Sequence, residues 1–139
     1  KTCLVASSEY LQQCPELTSP LQLKNHRCLV HSHAAWQSWV LTNEKGQTRS
    51  FPIHSHLHAN DVYVLLEMAL RHQGITMLPK AMVLPELRTG RLVEVLPNYQ
   101  LQPFQLAIVY VSSNHTPQMV QNFIEFLLTF FAYHERVLE

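Results

Sequence analysis

Two patterns of hydrophobic and polar positions alternate along the chain. Short apolar runs bounded by polar or turn residues are typical of buried strands, whereas apolar residues at i, i+3, i+4 and i+7 indicate a helix with one buried face. The helical pattern is clearest at Val62, Leu65, Leu66 and Ala69. Gly74 follows this pattern and is the expected end of the helix. The sequence Asn-Glu-Lys-Gly at 43–46 separates two strand-like stretches and predicts a β-hairpin.

Together these patterns predict an alternation of strands and helices. The predicted strands are 3–6, 28–31, 38–42, 47–53, 55–59, 75–78, 92–96 and 104–111. Capping side chains and early prolines predict helices that start after 7 or 8, at 19–20, after 60–61, near 81 and at 116–117. This order predicts an α/β fold around a mixed, largely parallel sheet flanked by helices.

Composition narrows the classes of protein that fit. Lys and Arg together number 10, as do Asp and Glu, and charged residues make up 14% of the chain. A chain with so little charge is not intrinsically disordered, and without net charge it lacks the basic surface that grips nucleic acid. Its apolar stretches are too short to span a bilayer. Three cysteines without a secretory signal favour a reducing, cytoplasmic location.

The sequences at both ends of the chain suggest that it is part of a longer polypeptide. The first residues form a strand-like run without an initiator methionine, which we interpret as an entry partway along a longer polypeptide. The last predicted helix has one apolar stripe at Val120, Phe123, Ile124, Leu127, Leu128 and Phe131, and a second at Met119, Phe126, Phe130 and Tyr133. A surface helix of a small domain needs one stripe. We expect a second partner for this helix, the alternative being that it lies deep in a single domain.

Nine histidines make metal binding the first chemistry to consider. His54, His56 and His58 alternate, and alternate side chains of a strand share a face, so three imidazoles could converge on a metal there. No carboxylate or cysteine stands at a matching ligand spacing, and an exposed edge strand gives the same pattern. Metal binding by these residues is therefore an alternative function, and no metal ligand is assigned.

Catalysis has less support than binding. No serine stands in a G-x-S-x-G elbow or beside a recognisable base, and Cys28 precedes an apolar strand as a core residue does. Three glycines leave no room for a phosphate-binding loop. We expect neither an enzyme nor a cofactor.

Polar residues at two predicted strand ends favour a binding site. Asn60 and Asp61 open a helix directly after a strand, which places free backbone amides where open α/β sheets hold ligands. Another strand end is followed by His31, Ser32, His33 and Trp36. The helix dipole favours an anionic ligand group, so we predict a small anionic ligand. The alternative is that Asn60 is an ordinary helix cap.

Four segments resemble one family, the LysR-type transcriptional regulators. Residues 4–11, LVASSEYL, are similar to the family's LVASPEYL, and 74–79, GITMLP, to its GIxxLP. Residues 90–97, GRLVEVLP, resemble GRLVxVLP, and 117–127, PQMVQNFIEFL, resemble SPxVRxFIDFL. The four occur in the family's order and cover nearly the whole chain.

The resemblance implies an effector-binding domain of the type II periplasmic-binding-protein-like fold, in which two α/β subdomains hold the ligand between them. Residues 1–111 would be the second subdomain with the crossover strands, and 112–139 a C-terminal helix that returns to the first subdomain. Carried over to this chain, the effector-binding positions are His31, Ser32, Asn60, Asp61, Thr76 and Met77.

The implied function is control of transcription by a small-molecule effector, in a homo-oligomer that does not contact a membrane. DNA would be bound only through an N-terminal helix-turn-helix outside this chain. An extracytoplasmic solute-binding protein of the same architecture is the alternative class. The sequence departs from the family pattern at Ser8, at 70–73 and in the histidine-rich stretch 54–58.

Overall fold

The computed structural model describes residues 1–32, 37–102, 108–110 and 117–134. Its strands are β1 Thr2–Ala6, β2 Arg27–His31, β3 Ser38–Thr42, β4 Thr48–Pro52, β5 His54–Ala59, β6 Ile75–Pro79, β7 Val93–Val95 and β8 Gln100–Leu101. Its helices are α1 Ser8–Gln12, a 3-10 helix at Pro20–Asn25, α2 Val62–Leu70, α3 Lys80–Arg88 and α4 Gln118–His134. The chain divides into two compact units, Lys1–Pro103 and Phe104–Glu139.

The first unit is built on a mixed five-stranded sheet with the order β5-β2-β6-β1-β7. Strand β2 runs parallel to both β5 and β6, and β1 runs antiparallel to both β6 and β7. Helix α2 connects β5 to β6, and α3 connects β6 to β7, as crossover connections between parallel strands require. The predicted mixed α/β sheet is confirmed.

A second, smaller sheet has the order β4-β3-β8 and is antiparallel. Strands β3 and β4 form the predicted hairpin. Its turn is held by Asn43, whose Oδ1 accepts hydrogen bonds from the backbone amides of Lys45 and Gln47 at 3.0 and 2.9 Å. Gly46 adopts a φ of +74° in this turn, a conformation that costs glycine little.

The two faces of the five-stranded sheet carry two separate clusters of buried residues, because successive side chains of a strand point to opposite faces. The helix-side cluster, against α2 and α3, contains Cys3, Val5, Leu29, Leu65, Ala69, Leu78, Val83 and Leu92. The hairpin-side cluster contains Leu4, Ala6, Tyr10, Leu23, Cys28, Val30, Trp39, Leu41, Ile75, Val95 and Leu96. Every central strand is therefore buried on both sides.

Helix α2 ends before the glycine that was expected to end it. Arg71 is the C-cap, and His72 follows with a φ of +61°, in the left-handed conformation usual for a residue that ends a helix. Gly74 has a different role. Its φ is +157°, and a Cβ atom there would collide with the carbonyl oxygen of Arg27, so only glycine fits this close approach.

Helix α4 in the second unit carries many exposed apolar side chains. Met119 is 81% exposed, Phe126 60% and Leu128 61%, whereas Ile124 and Leu127 are half-buried. Of the predicted strand 104–111, residues 108–110 form no regular element, and the rest lies outside the described residues. Among the described helices, none is both long and apolar enough to cross a membrane.

Candidate functional site

The carboxyl ends of β2 and β5 lie side by side at one edge of the five-stranded sheet. His31, the last residue of β2, is paired with Ala59, the last residue of β5. The backbone amide of Ser32 donates to the carbonyl of Ala59 at 2.9 Å, and Nε2 of His31 lies 3.2 Å from the carbonyl oxygen of Asn60. The structure therefore brings His31, Ser32, Asn60 and Asp61 together; we call these four residues the β2–β5 edge site.

Helix α2 begins at this edge, and Asp61 is its N-cap. Oδ1 of Asp61 accepts a hydrogen bond from the backbone amide of Tyr63 at 2.7 Å. The reading of Asn60 as the helix cap is therefore wrong, because Asn60 precedes the cap. The first amides of a helix have no acceptor inside the helix, so those of Val62 and Val64 point out of this end of α2.

The carboxylate of Asp61 changes the electrostatics of the β2–β5 edge site. A negative charge at a helix N-terminus offsets the positive end of the helix dipole. An anionic ligand is therefore attracted by the amides of α2 and repelled by Asp61. The side chains of Asn60 and Asp61 are exposed, so water screens this repulsion.

Thr76 and Met77 are placed inside the sheet rather than at its exposed edge. Thr76 is fully buried between Val5 and Leu29 of the helix-side cluster, and its hydroxyl has no hydrogen-bond partner among the described residues. Met77 is half-buried and packs on the hairpin-side cluster. A direct contact of either residue with an effector stays a prediction.

The three alternating histidines do not share a face. A β-bulge shifts the register of β5 against β2, so that His54 pairs with Arg27 while His58 pairs with Val30. Arg27 and Val30 are three residues apart and point to opposite faces, and their partners do the same. Among the residues that the structure describes, no group of three side chains is arranged to hold a metal ion.

His58 is instead paired with a serine. The bulge puts Ser55 and His58 on one face, and the Ser55 hydroxyl lies 2.8 Å from Nε2 of His58. The alternative in which the three imidazoles converge on a metal is therefore contradicted, because the extra residue interrupts the two-residue period of the strand. His33 and Trp36, named with His31 at the sequence level, lie outside the described residues.

One serine does have a base beside it, which the sequence did not indicate. The hydroxyl of Ser7 lies 2.8 Å from Nδ1 of His72, and Oε2 of Glu9 is 3.7 Å from the same nitrogen. Ser7 is fully buried and also accepts a hydrogen bond from the amide of Tyr10 as the cap of α1. Because this hydroxyl cannot reach a substrate and the acid contacts the same nitrogen as the serine, the trio is a structural link rather than a catalytic one.

A second polar group at the same edge was missed in the sequence. Lys80 begins α3 at the carboxyl end of β6, and Glu94 lies in β7. Their side chains form an ion pair with Nζ of Lys80 2.9 Å from Oε2 of Glu94. The two residues are distant in sequence and fit no local motif, so only the pairing of β1 with both β6 and β7 reveals them.

Comparisons with known proteins agree with this architecture. Residues 1–132 match the family described as LysR substrate binding domain. The chain is 33% identical over 132 residues to the HTH-type transcriptional activator TtdR of Escherichia coli K12, covering 91% of this chain and 41% of that protein. It is 34% identical over 113 residues to an uncharacterized HTH-type transcriptional regulator of Haemophilus influenzae, covering 81% of this chain and 39% of that protein.

Among solved structures, the full-length virulence activator AphB of Vibrio cholerae, a member of the LTTR protein family, is similar to this chain. It superposes with a TM-score of 0.77 at 30% sequence identity, covering 94% of this chain and 44% of that chain. The chain thus spans about two fifths of the length of these relatives. With a family match along nearly its entire length and relatives that are transcriptional regulators, the chain belongs to the LysR substrate-binding domain family.

Proposed function

We propose that this chain is the second subdomain of the effector-binding domain of a LysR-type transcriptional regulator, and that it binds a small ligand at the β2–β5 edge site. The observation that carries the proposal is the meeting of His31, Ser32 and the start of α2 at the carboxyl ends of two parallel strands. Ligands of open α/β sheets settle at such edges, where helix amides point outward.

The ligand's acceptor group is expected at the amides of Val62 and Val64. Ser32 is bonded through its backbone to the last residue of β5, and Asn60 directly precedes the cap of α2, so their side chains are expected to add donors and acceptors near these amides. We retain the expectation of an anionic ligand because the helix dipole and the backbone amides favour negative charge. The opposing charge of Asp61 then sets how tightly such a ligand is held.

Residues 1–111 are proposed to close on the ligand against a first subdomain, and 112–139 to return to that subdomain. The exposed apolar residues of α4 support this assignment, because such a surface in water calls for a partner. Two closure states that bind the effector differently would bias the geometry of a homo-oligomer and the DNA contacts made by a helix-turn-helix domain of the same polypeptide. Such a regulator acts on DNA in the cytoplasm.

Transcription from an operator-linked reporter tests the β2–β5 edge site in the full-length protein. Cells are first grown with a panel of small carboxylic acids to find the acid that changes reporter output. Ser32→Ala and Asn60→Ala are expected to raise the half-maximal concentration of that acid about tenfold each, since each removes a hydrogen bond to the ligand. Ser50→Ala, on the exposed part of β4, is the matched control. An unchanged dose response in both variants would overturn the proposed site.

Removal of the negative charge of Asp61 tests whether the ligand is an anion or a cation. Asn caps a helix about as well as Asp, so Asp61→Asn removes the charge and keeps the helix start. An anionic ligand is expected to bind this variant more tightly, whereas a cationic ligand would bind it more weakly. Glu44→Gln, in the exposed hairpin turn, removes one negative charge elsewhere and serves as the control.

A further inference from the structure

A cavity of about 400 Å³ opens at the same edge of the sheet, beside β1 and β7. Its wall includes Lys80 and Glu94, the hydroxyl-bearing Thr2, and the aromatic ring of Tyr99. Nothing in the assignment of the β2–β5 edge site uses these residues. The cavity is large enough for a small metabolite and combines charged groups with an aromatic surface, as ligand sites do.

The sheet places the two charged residues on either side of β1. Thr2 at the start of β1 pairs with Pro79 at the end of β6, and the backbone amide of Lys80 donates to the carbonyl of Lys1 at 3.0 Å. On the other side of β1, Glu94 of β7 pairs with Val5. Glu94 therefore comes from one strand that flanks β1, and Lys80 from the start of the helix that follows the other. Because Val5 and Lys1 are four positions apart on β1, the long side chains, and not the register alone, bring Nζ of Lys80 to 2.9 Å from Oε2 of Glu94.

Both charges of this pair are held in place and only partly exposed. The side chain of Lys80 is 35% exposed and that of Glu94 28%. The hydrogen bond that Lys80 donates to Glu94 raises the pKa of Lys80, so the amine stays protonated. The neighbouring Cys3 adds no charge, because burial and the nearby Glu94 raise the pKa of its thiol to about 11. The cavity thus presents a fixed ion pair, and Lys1 is a second cation on its wall.

This cavity is lined by other residues than the β2–β5 edge site. Strand β6 lies between β2 and β1 in the sheet. Neighbouring strands are about 4.8 Å apart, so roughly 10 Å separate the end of β2 from the start of β1. His31, Ser32, Asn60 and Asp61 are not among the residues that line the cavity.

We propose that the cavity beside Lys80 and Glu94 is a second ligand site, and that it takes an α-amino acid. The carboxylate of the amino acid binds Lys80, and its ammonium group binds Glu94. An ammonium group has three donors and a carboxylate several acceptor positions, so each partner of the ion pair has capacity for a ligand contact besides the other. Tyr99 and the neighbouring Leu101 provide apolar surface for the side chain of the amino acid.

A singly charged ligand fits this cavity less well. A plain carboxylate would bring a second negative charge next to Glu94, and a plain amine a second positive charge next to Lys80. A zwitterion completes an alternating arrangement of four charges without adding net charge. Discrimination therefore comes from repulsion of the wrong ligand as well as attraction of the right one.

Three probes with the same apolar chain test this selectivity in the full-length protein. L-Norvaline carries both charged groups, pentanoate only the carboxylate, and n-butylamine only the ammonium group. In saturation-transfer NMR, norvaline is expected to show binding at least about tenfold stronger than either other probe. Equal binding of pentanoate or n-butylamine would overturn the proposal, as would the absence of a norvaline signal.

Variants assign the norvaline signal to the cavity. Lys80→Met and Glu94→Gln are each expected to weaken norvaline binding about tenfold or more. The exchanged pair, Lys80→Glu with Glu94→Lys, keeps an ion pair at this place and is expected to retain norvaline binding with the ligand reversed. Loss of binding in the single variants with recovery in the exchanged pair cannot come from unfolding.

Two controls separate this site from other effects. Glu67→Gln breaks the exposed ion pair of Glu67 with Arg71 on α2 and is expected to leave norvaline binding unchanged. Ser32→Ala, which tests the β2–β5 edge site, is also expected to leave it unchanged. Norvaline binding that survives both single cavity variants would overturn the second site without touching the proposed function.

Discussion

The two ends of the five-stranded sheet differ in how their polar residues are used. At the end where β2 and β6 begin, polar groups bond to one another. The backbone amide of Arg27 donates to the hydroxyl of Tyr10 at 2.9 Å, the guanidinium of Arg27 donates to the carbonyl of His72 at 3.1 Å, and His72 contacts Ser7. We call this set of residues, together with Gly74, the amino-end network.

At the opposite end, where β2, β5 and β6 finish, polar groups lie at a helix start or line a cavity. His31 and Asp61 lie at the start of α2, and Lys80 and Glu94 line a cavity. Groups that satisfy one another stabilise the fold, whereas groups that face a cavity have capacity left for a ligand. Substitutions at the amino end are therefore expected to change stability, and those at the carboxyl end to change binding.

The largest effect is expected for Gly74→Ala in the amino-end network. The added Cβ collides with the carbonyl oxygen of Arg27, so β2 or β6 has to shift. We expect a loss of roughly 3 kcal/mol in the free energy of unfolding, measured by urea denaturation. Gly46→Ala is the matched control, because its new methyl group meets open space and only the left-handed backbone costs about 1 kcal/mol. Equal losses in the two variants would contradict the role of close packing.

Tyr10→Phe tests the hydrogen bonds of the same network. The substitution keeps the ring, on which the guanidinium of Arg27 stacks at 5.2 Å, and removes the hydroxyl that accepts from the amide of Arg27. A buried donor left without its acceptor costs about 1 to 3 kcal/mol, to be measured by urea denaturation. Tyr63→Phe, on an exposed position of α2, should stay within about 0.5 kcal/mol of the parent protein.

Acid is expected to weaken the fold through His26. This residue is buried, Nδ1 lies 3.4 Å from the Tyr10 hydroxyl, and Nε2 has no partner among the described residues. Burial lowers the pKa of His26 from its usual 6.5. The unfolded chain therefore takes up the proton first as the pH falls, and stability present above pH 6.5 is lost below it.

The measurement is urea denaturation between neutral and mildly acidic pH. The slope from one such histidine reaches at most about 1.4 kcal/mol per pH unit. His26→Gln should remove this part of the slope, and His54→Gln, at an exposed position of β5, should leave it in place. An identical slope in the parent protein and in His26→Gln would contradict the assignment.

The smallest effect on stability is expected at the carboxyl end. Asn60 is exposed and is not the cap of α2, so Asn60→Ala should change the free energy of unfolding by no more than about 0.5 kcal/mol. The same substitution is expected to weaken effector binding in the full-length protein. A large loss of stability with unchanged effector binding in Asn60→Ala would contradict the proposal that residues at the carboxyl end serve binding rather than stability.

The elements were predictable where one local pattern determined them. The hairpin followed from its turn sequence at 43–46, and α2 from the spacing of Val62, Leu65, Leu66 and Ala69. Two features could not be predicted because they depend on contacts between residues that are distant in sequence. The left-handed His72 is held by Ser7, and the pairing of Lys80 with Glu94 depends on the order of strands around β1.

The candidate site was predictable to the level of strand ends but not of side-chain direction. His31, Ser32, Asn60 and Asp61 meet because parallel strands finish at one edge, which the order of elements already indicates. Asn60 and Asp61 are both good caps, so sequence could not choose between them, and the structure chooses Asp61. Thr76 was named for its place in a family motif, and only the pairing with Val5 and Leu29 shows that its side chain is buried.

The bulge in β5 makes this strand tolerant of the loss of one residue at the bulge. Because His56 is the residue without a partner, Leu57 and Ala59 still face the helix-side cluster. A chain shortened by His56 would pair regularly with β2 and keep both residues in place. Loss of a single residue after the bulge would instead exchange the two faces of the end of the strand and place an imidazole in the packing beneath α2. A deletion is therefore expected to be tolerated at the bulge and to be destabilising after it.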